Sequence, residues 1–329
     1  MKIHENWNST YPDALNHYWK FSNLSVDDKK SALFFGWAIM ENLDSYLSSI
    51  EKYENRFYFN NEHPCVLQST DERLISLSMD SNRVFSNVYN QCPYTANWIN
   101  SLENSDRFRY IFTPFNKNYI IDKIEGKTND VLYWGGLHGT DHKDILDTIK
   151  DFDYNFLTLG PSSWNLWWGR ESSLSPISNY TALITYQNLQ RPFMWQLLRR
   201  TKVNVMTNLL YTDDKINNNI RTHQHWEKNE AFAHLDQYIM PQLKTRPIET
   251  AINRCLMVVK KDPWNIQELF FEPNKEFIYY NDKKELQHIL EDVKINWKHY
   301  EPIVENAFNK AINNYTTEHF IEKIKQECV

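Results

Sequence analysis

Glycine is scarce in this chain, seven in 329 residues, so few positions have the backbone freedom that sharp turns and close ligand approach require. Cysteine is scarcer. Cys65, Cys92, Cys255 and Cys328 form no CxxC, and no Cys/His spacing suits zinc; reduced thiols in a cytosolic protein are the simplest account. No long Lys/Arg run occurs and the net charge is -6, which argues against nucleic-acid binding through phosphate neutralisation but leaves room for a nucleotide pocket. No stretch of about 18 apolar residues is present, the length a membrane span needs. The opening MKIHENWNST lacks the apolar core of a signal peptide. The expectation is a cytoplasmic protein with no membrane span. Sequons beginning at Asn8, Asn23, Asn179 and Asn314 are chance matches in an Asn-rich chain.

Aromatic side chains are plentiful instead, 15% of the chain with 12 Trp. They supply core area and also stack on bases and sugar rings. At roughly 150 residues per domain the length implies two domains. Strand patterns at Ser31–Met40, Arg56–Phe59, Arg83–Tyr89 and Phe108–Thr113 alternate with helical spacing at Glu41–Tyr53, Asp71–Met79 and Tyr94–Leu102. This rhythm predicts a parallel, doubly wound sheet. The chain turns polar over Ile120–Asp130, a domain boundary, and the rhythm restarts. Strands are expected at Val131–Trp134, Asn155–Gly160, Val203–Leu210, Cys255–Val259 and Phe277–Tyr280. Helices are expected at Lys143–Phe152, Pro247–Arg254 and Asn265–Phe271, over most of Ala182–Arg200, and from Lys284 onward.

Three of the glycines fall in Gly135-Gly136-Leu137-His138-Gly139, between a strand and a helix. Such a loop admits a phosphate to the helix N-terminus, or serves only as a tight turn. It is not GxGxxG, which disfavours a dinucleotide fold. A second constellation is Lys244-Thr245-Arg246-Pro247-Ile248-Glu249. Cations at a helix start oppose its dipole, a conflict that a bound pyrophosphate would resolve, and Glu249 lies one turn from Arg246 on the same face. A surface ion pair is the plainer reading. Glu62 and His63, after an expected strand end, are candidates for a base that takes an acceptor hydroxyl proton; a solvated loop histidine is the alternative. Trp164, Trp167 and Trp168 form a platform or pack in a core. His223 and His225 alone do not make a metal site, and Asp213-Asp214 lacks the spacing of a metal-binding carboxylate pair.

From Lys244 to Leu286 the sequence resembles the C-terminal domain of GT-B glycosyltransferases, notably the CgeB-like and glycosyltransferase family 1-type group. The residues that carry the likeness are Arg246, Glu249, Ala251, Leu256–Val259, Glu268, Phe270-Phe271, Pro273, Asp282, Glu285 and Leu286. The resemblance implies two Rossmann-like domains. Glu249 would hold ribose or sugar hydroxyls, and Arg246 and Lys244 the pyrophosphate. Gly135, Gly136 and His138 would line the phosphate side, and Glu268 would be a secondary donor contact or a cap. Two departures stand out. The small-residue turn is replaced by Ile252-Asn253-Arg254, and the position eight before Glu249 is Pro241 rather than a second glutamate. Whether the reaction retains or inverts configuration is therefore open.

The expected organisation is an acceptor-side domain over 1–125, a donor domain over 126–296, and C-terminal helices over 297–329 packing back on the first domain. Their apolar stripe is Tyr300, Ile303, Val304, Ala307, Phe308, Ala311 and Ile312; a bundle confined to the second domain predicts the same stripe. The expected function is transfer of a sugar from a nucleotide-diphosphate donor to a glycan or other hydroxyl acceptor, with no metal and no cofactor. The alternatives are a non-catalytic nucleotide- or carbohydrate-binding module and a sugar-nucleotide epimerase.

Overall fold

A computed structural model describes residues 2–4, 31–35, 53–60, 87–90, parts of 92–100, 108–115, 117–120, 126–134, 140–158, 183–185, 191–211, 239–241, 243 and 245–326. The strands in chain order are β1 (Lys2–His4), β2 (Ser31–Phe35), β3 (Asn55–Asn60), β4 (Asn87–Asn90), β5 (Phe108–Tyr110), β6 (Asn129–Trp134), β7 (Tyr154–Thr158), β8 (Leu183–Thr185), β9 (Thr201–Met206), β10 (Leu209–Tyr211), β11 (Ile239–Pro241), β12 (Leu256–Lys260) and β13 (Ile278–Tyr280). The helices are α1 (Thr140–Ile149), α2 (Arg191–Arg200), α3 (Arg246–Ile252), α4 (Lys283–Asn314) and α5 (Thr317–Gln326).

The chain divides into two compact units. One comprises Met1–Asn116, Asp214–Gln237 and Thr316–Val329; the other comprises Lys117–Asp213 and Tyr238–Tyr315. In the first unit, β1 to β5 pair in sequence order, each pair parallel. Phe57 and Tyr89 face each other across β3 and β4 with ring centroids 6.2 Å apart. The Asn100 amide brackets the start of β5, donating to Phe108 O at 2.7 Å and accepting from Phe108 N at 2.9 Å. Helix α5 closes this unit's core. Phe320 packs edge-on against Phe112, and Thr317 N donates to Phe115 O at 2.9 Å.

The second unit holds a six-stranded sheet in the order β13-β12-β9-β6-β7-β8, all parallel. Numbered within the unit, this is the doubly wound order of two βαβ halves, with the reversal between β6 and β9. A sheet covered on both faces needs apolar residues at successive positions, which explains Leu-Met-Val-Val in β12, buried throughout. One phase of the strands (Val131, Tyr133, Val203, Val205, Leu256, Val258) packs on Ile145, Leu146 and Ile149 of α1 and on Leu286, Leu290 and Val293 of α4. At the N-terminal end of the sheet, Lys127 Nζ donates to Arg199 O at 2.7 Å and to Arg254 O at 2.6 Å, where a cation satisfies carbonyls left over at helix ends.

Several expectations need correction. The stretch Ala182–Arg200, expected to be mostly helix, also holds the short strand β8 near its start; helix α2 occupies Arg191–Arg200, with Pro192 in its first turn, where the missing N–H costs nothing. The strand expected over Val203–Leu210 breaks after Met206, where Thr207 Oγ1 accepts from Leu209 N; β10 leaves for a two-stranded antiparallel ribbon with β11. The change between units falls at 116/117, where 125/126 was expected, and Asp214–Gln237 groups with the first unit. Residues 297–315 belong to the second unit because Val304, Ala307, Phe308 and Ala311 are buried there, Arg254 stacks 3.4 Å over the Phe308 ring centroid, and Tyr315 donates to Phe270 O at 2.9 Å. Only the chain from Thr316 joins the first unit. Strand β1 was not read from the sequence. The helices expected over 71–79 and, but for Tyr53, over 41–53, and the Trp-rich stretch 162–179, lie outside the described residues.

Candidate functional site

Helix α3 lies between β11 and β12. Pro247 fits its first turn, where a missing N–H leaves no bond unmade. It ends where Asn253 Nδ2 turns back to Glu249 O at 2.8 Å and Arg254 adopts φ 51°. Every residue from Pro247 to Ile252 is buried, so the helix is wedged against the sheet and its first residue is held in place.

That first residue is Arg246, half-buried. Its Nη1 donates to Trp134 O at 3.2 Å and its Nη2 to Thr207 O at 3.1 Å. Trp134 is the last residue of β6 and Thr207 follows the last residue of β9. The guanidinium therefore bridges the carboxyl ends of the two strands between which the order reverses. In open α/β sheets that crevice is where ligands bind. The Trp134 ring lies beside the same guanidinium, 6.0 Å from its central carbon.

Glu249 is fully buried. Its Oε1 accepts from Trp195 Nε1 of α2 at 3.4 Å, and its Oε2 from Thr245 Oγ1 at 3.0 Å. Beneath the pair, Asn204 of β9 is also fully buried. Its amide satisfies both ends when Nδ2 faces Leu132 O at 3.1 Å; Oδ1 then accepts from Trp134 Nε1 at 3.3 Å and from Thr250 Oγ1 at 2.7 Å. One side chain thus ties β6, β9 and α3 together directly below Arg246.

After β12 the chain forms a polar turn. Asp262 accepts from Trp264 N at 2.9 Å and Ile266 N at 3.2 Å; burial pushes its carboxyl above the usual range against those donors. Asn208 donates to Gln267 at 3.1 Å. Burial raises the Cys255 thiol to about 12, with Lys127 opposing, so this cysteine is no nucleophile.

The structure brings together Arg246 and Glu249 of the residues proposed from sequence. Glu268 is exposed on the turn Ile266–Leu269, and no contact among the described residues joins it to that pair. Asp282 and Glu285 are helix-start hardware: Asp282 Oδ1 accepts from Glu285 N at 2.9 Å, and Glu285 Oε2 accepts from Asn281 N at 2.7 Å. Glu62, His63, Gly135, Gly136, His138 and Lys244 lie outside the described residues; the glycine loop spans the five positions between β6 and α1. The sequence reading missed Trp195, Thr207 and Asn204. Only Asn204 left a signal, a polar residue inside the apolar run Val203–Met206.

A family described as glycosyl transferase-like matches residues 142–326, more than half of the chain. The chain belongs to the glycosyl transferase-like family. The matched stretch of this family member contains Trp195, Asn204, Arg246 and Glu249. No curated protein matches it in sequence. Among solved structures, HepE of Anabaena in complex with UDP-glucose superposes with a TM-score of 0.58 at 9% identity, over 90% of this chain and 78% of that one. Sucrose-phosphate synthase of Thermosynechococcus elongatus gives 0.55 at 8% identity, over 90% and 72%. A T4 phage BGT in complex with UDP-glucose gives 0.52 at 12% identity, over 93% and 85%. At such identities the likeness is one of fold, and the fold is GT-B. No helix among the described residues is long and apolar enough to cross a membrane.

Proposed function

We propose that this glycosyl transferase-like protein moves a hexosyl group from a uridine-diphosphate sugar to a hydroxyl of a glycan or similar acceptor, in the cytoplasm and without a metal ion. The observation that carries the reading is Arg246 spanning the carboxyl ends of β6 and β9. A guanidinium has more donors than the two carbonyls use, and a departing diphosphate develops the negative charge that those donors would stabilise. Helix α3 has seven residues and a proline near its start, so the charge there comes from the side chain more than from a long helix dipole. Glu249, one turn on, is the acceptor for nucleotide hydroxyls. Lys244 and the glycine loop with Gly135, Gly136 and His138 would complete the phosphate side, and Glu62 or His63 would take the acceptor's proton. The choice of uridine follows from the UDP-glucose held by two of the structural relatives.

The test is a thermal-shift screen with UDP, GDP, dTDP and CMP sugars, followed by transfer assays. Selective binding to the folded state stabilises it by about 2.7 kcal/mol at roughly 100 Kd. Arg246→Ala should lower kcat/KM by about 10²–10³-fold, the loss seen when one preorganised charge-stabilising donor is removed, with the fold intact. Unchanged turnover in that variant would overturn the reading. Binding without transfer would leave only a binding module.

A further inference from the structure

We infer that two of the hydrogen-bond donors on the Glu249 carboxylate differ in kind, one permanent and one exchangeable. Trp195 is a positioning residue that aims it, and the Thr245 hydroxyl keeps the place of a hydroxyl of the incoming nucleotide. The inference rests on the reading of Glu249 as a donor-nucleotide ligand.

The two partners differ in every respect that decides whether a bond can be given up. Trp195 is 2% exposed and sits on α2. An indole has a single N–H that points where the ring plane dictates, and a buried ring does not turn freely. Thr245 is half-buried, and its hydroxyl is a rotor. A threonine in front of a helix ordinarily accepts from a backbone N–H of the first turn, which stabilises by roughly 1 kcal/mol. Thr245 makes no such cap bond and its backbone is itself helical, at φ -66° and ψ -23°; its hydroxyl is spent on Glu249 instead, at 3.0 Å. Turning that hydroxyl away therefore uncaps nothing.

The reason for the contact is Glu249 itself. A carboxylate with no exposed surface needs donors or becomes costly. A ribose or sugar hydroxyl offers the same O–H···O⁻ bond that Thr245 makes. Binding then trades one hydroxyl for another at Oε2, while Trp195 keeps Oε1 fixed and so fixes the direction in which Oε2 points. Arg246 is the next residue after Thr245, which sets the exchange beside the group assigned to the diphosphate.

Calorimetry with UDP, repeated with UDP-glucose, on the full chain and on Trp195→Phe, Thr245→Val, Thr245→Ser and Glu249→Gln tests this, with the unliganded melting temperature of each. Trp195→Phe keeps the ring and loses the N–H; it should weaken UDP by about tenfold, the equivalent of one hydrogen bond, and raise KM with little change in kcat. Thr245→Val strips the carboxylate of a partner only in the unliganded state. It should lower the unliganded melting temperature and tighten UDP, and Thr245→Ser should restore the parent affinity. A merely structural role moves both variants the same way, towards weaker binding. If Glu249→Gln weakens UDP but Thr245→Val weakens it too, or Trp195→Phe leaves it unchanged, the exchange is wrong and the nucleotide site stands. If Glu249→Gln leaves UDP affinity unchanged, the nucleotide role of Glu249 falls and the exchange falls with it. A response to UDP-glucose without one to UDP moves the exchanged hydroxyl from the ribose to the sugar.

Discussion

On the α1 and α4 side of the second unit's sheet, Val131, Val203, Val205, Leu256 and Val258 meet Ile145, Leu146, Leu290 and Val293 in one apolar cluster. On the α3 side, the alternate positions of the same strands carry Trp134 and Asn204, and the facing helix carries Glu249 and Thr250, all buried and hydrogen-bonded to one another's elements. Both faces are equally dry. Apolar burial stabilises by about 25 cal/mol per Å² without any demand on direction, whereas each buried polar group needs a partner placed to within a few tenths of an ångström. The first face therefore makes the unit stable. The second is apolar too at Leu132, Met206, Met257 and Val259, but its polar positions, which stability alone does not require, fix where Arg246 and Glu249 stand.

The comparison can be broken by mutation. Leu290→Ala, on the apolar face, should cost about 2–5 kcal/mol in denaturant unfolding while leaving the UDP affinity of the folded protein as it was; a matching loss of affinity would erase the distinction between the faces. Asn204→Leu, on the polar face, removes the amide that the Trp134 indole and the Thr250 hydroxyl share, though Thr250 Oγ1 still donates to Arg246 O at 2.6 Å. It should cost about 1–3 kcal/mol and also weaken UDP, since β6 and α3 lose their common tie; stability loss alone would return Asn204 to the role of a core residue. The smallest effect concerns Asp130. Burial pushes its carboxyl up, but Lys202 at 2.9 Å and Lys294 at 3.1 Å win and hold it below the ordinary 3.8. A carboxyl depressed by folding contributes stability that is present above 3.8 and lost as pH falls through its lower folded value. Asp130→Asn should therefore reduce stability slightly near neutrality and flatten the acid limb of the pH–stability curve, with no change in UDP binding.

How far these features were legible in sequence follows from the range of the interactions behind them. Alternation of apolar runs and helical spacing is local, so most of the strands and α1, α3 and α4 were placed to within a few residues. Strand β1 is only Lys2–His4, with no pattern of its own and a partner some thirty positions away. The break at Thr207 escaped because Val203–Leu210 is apolar enough to read as one strand; a side-chain bond two residues long, Leu209 N to Thr207 Oγ1, ends it. Arg246 and Glu249 were legible because they are neighbours on a helix. Trp134, Trp195 and Thr207 reach them from elsewhere in the chain, and nothing in the intervening sequence announces such a meeting.

The chain passes between its two units four times, at 116/117, 213/214, 237/238 and 315/316. No single truncation releases either unit whole, and no single recombination point can exchange one unit for that of another family member. Nicking one junction would leave fragments that still share a core. Natural exchange of the first unit must therefore come by substitution within it, or by simultaneous exchange of its three separate segments, rather than by the shuffling of a module.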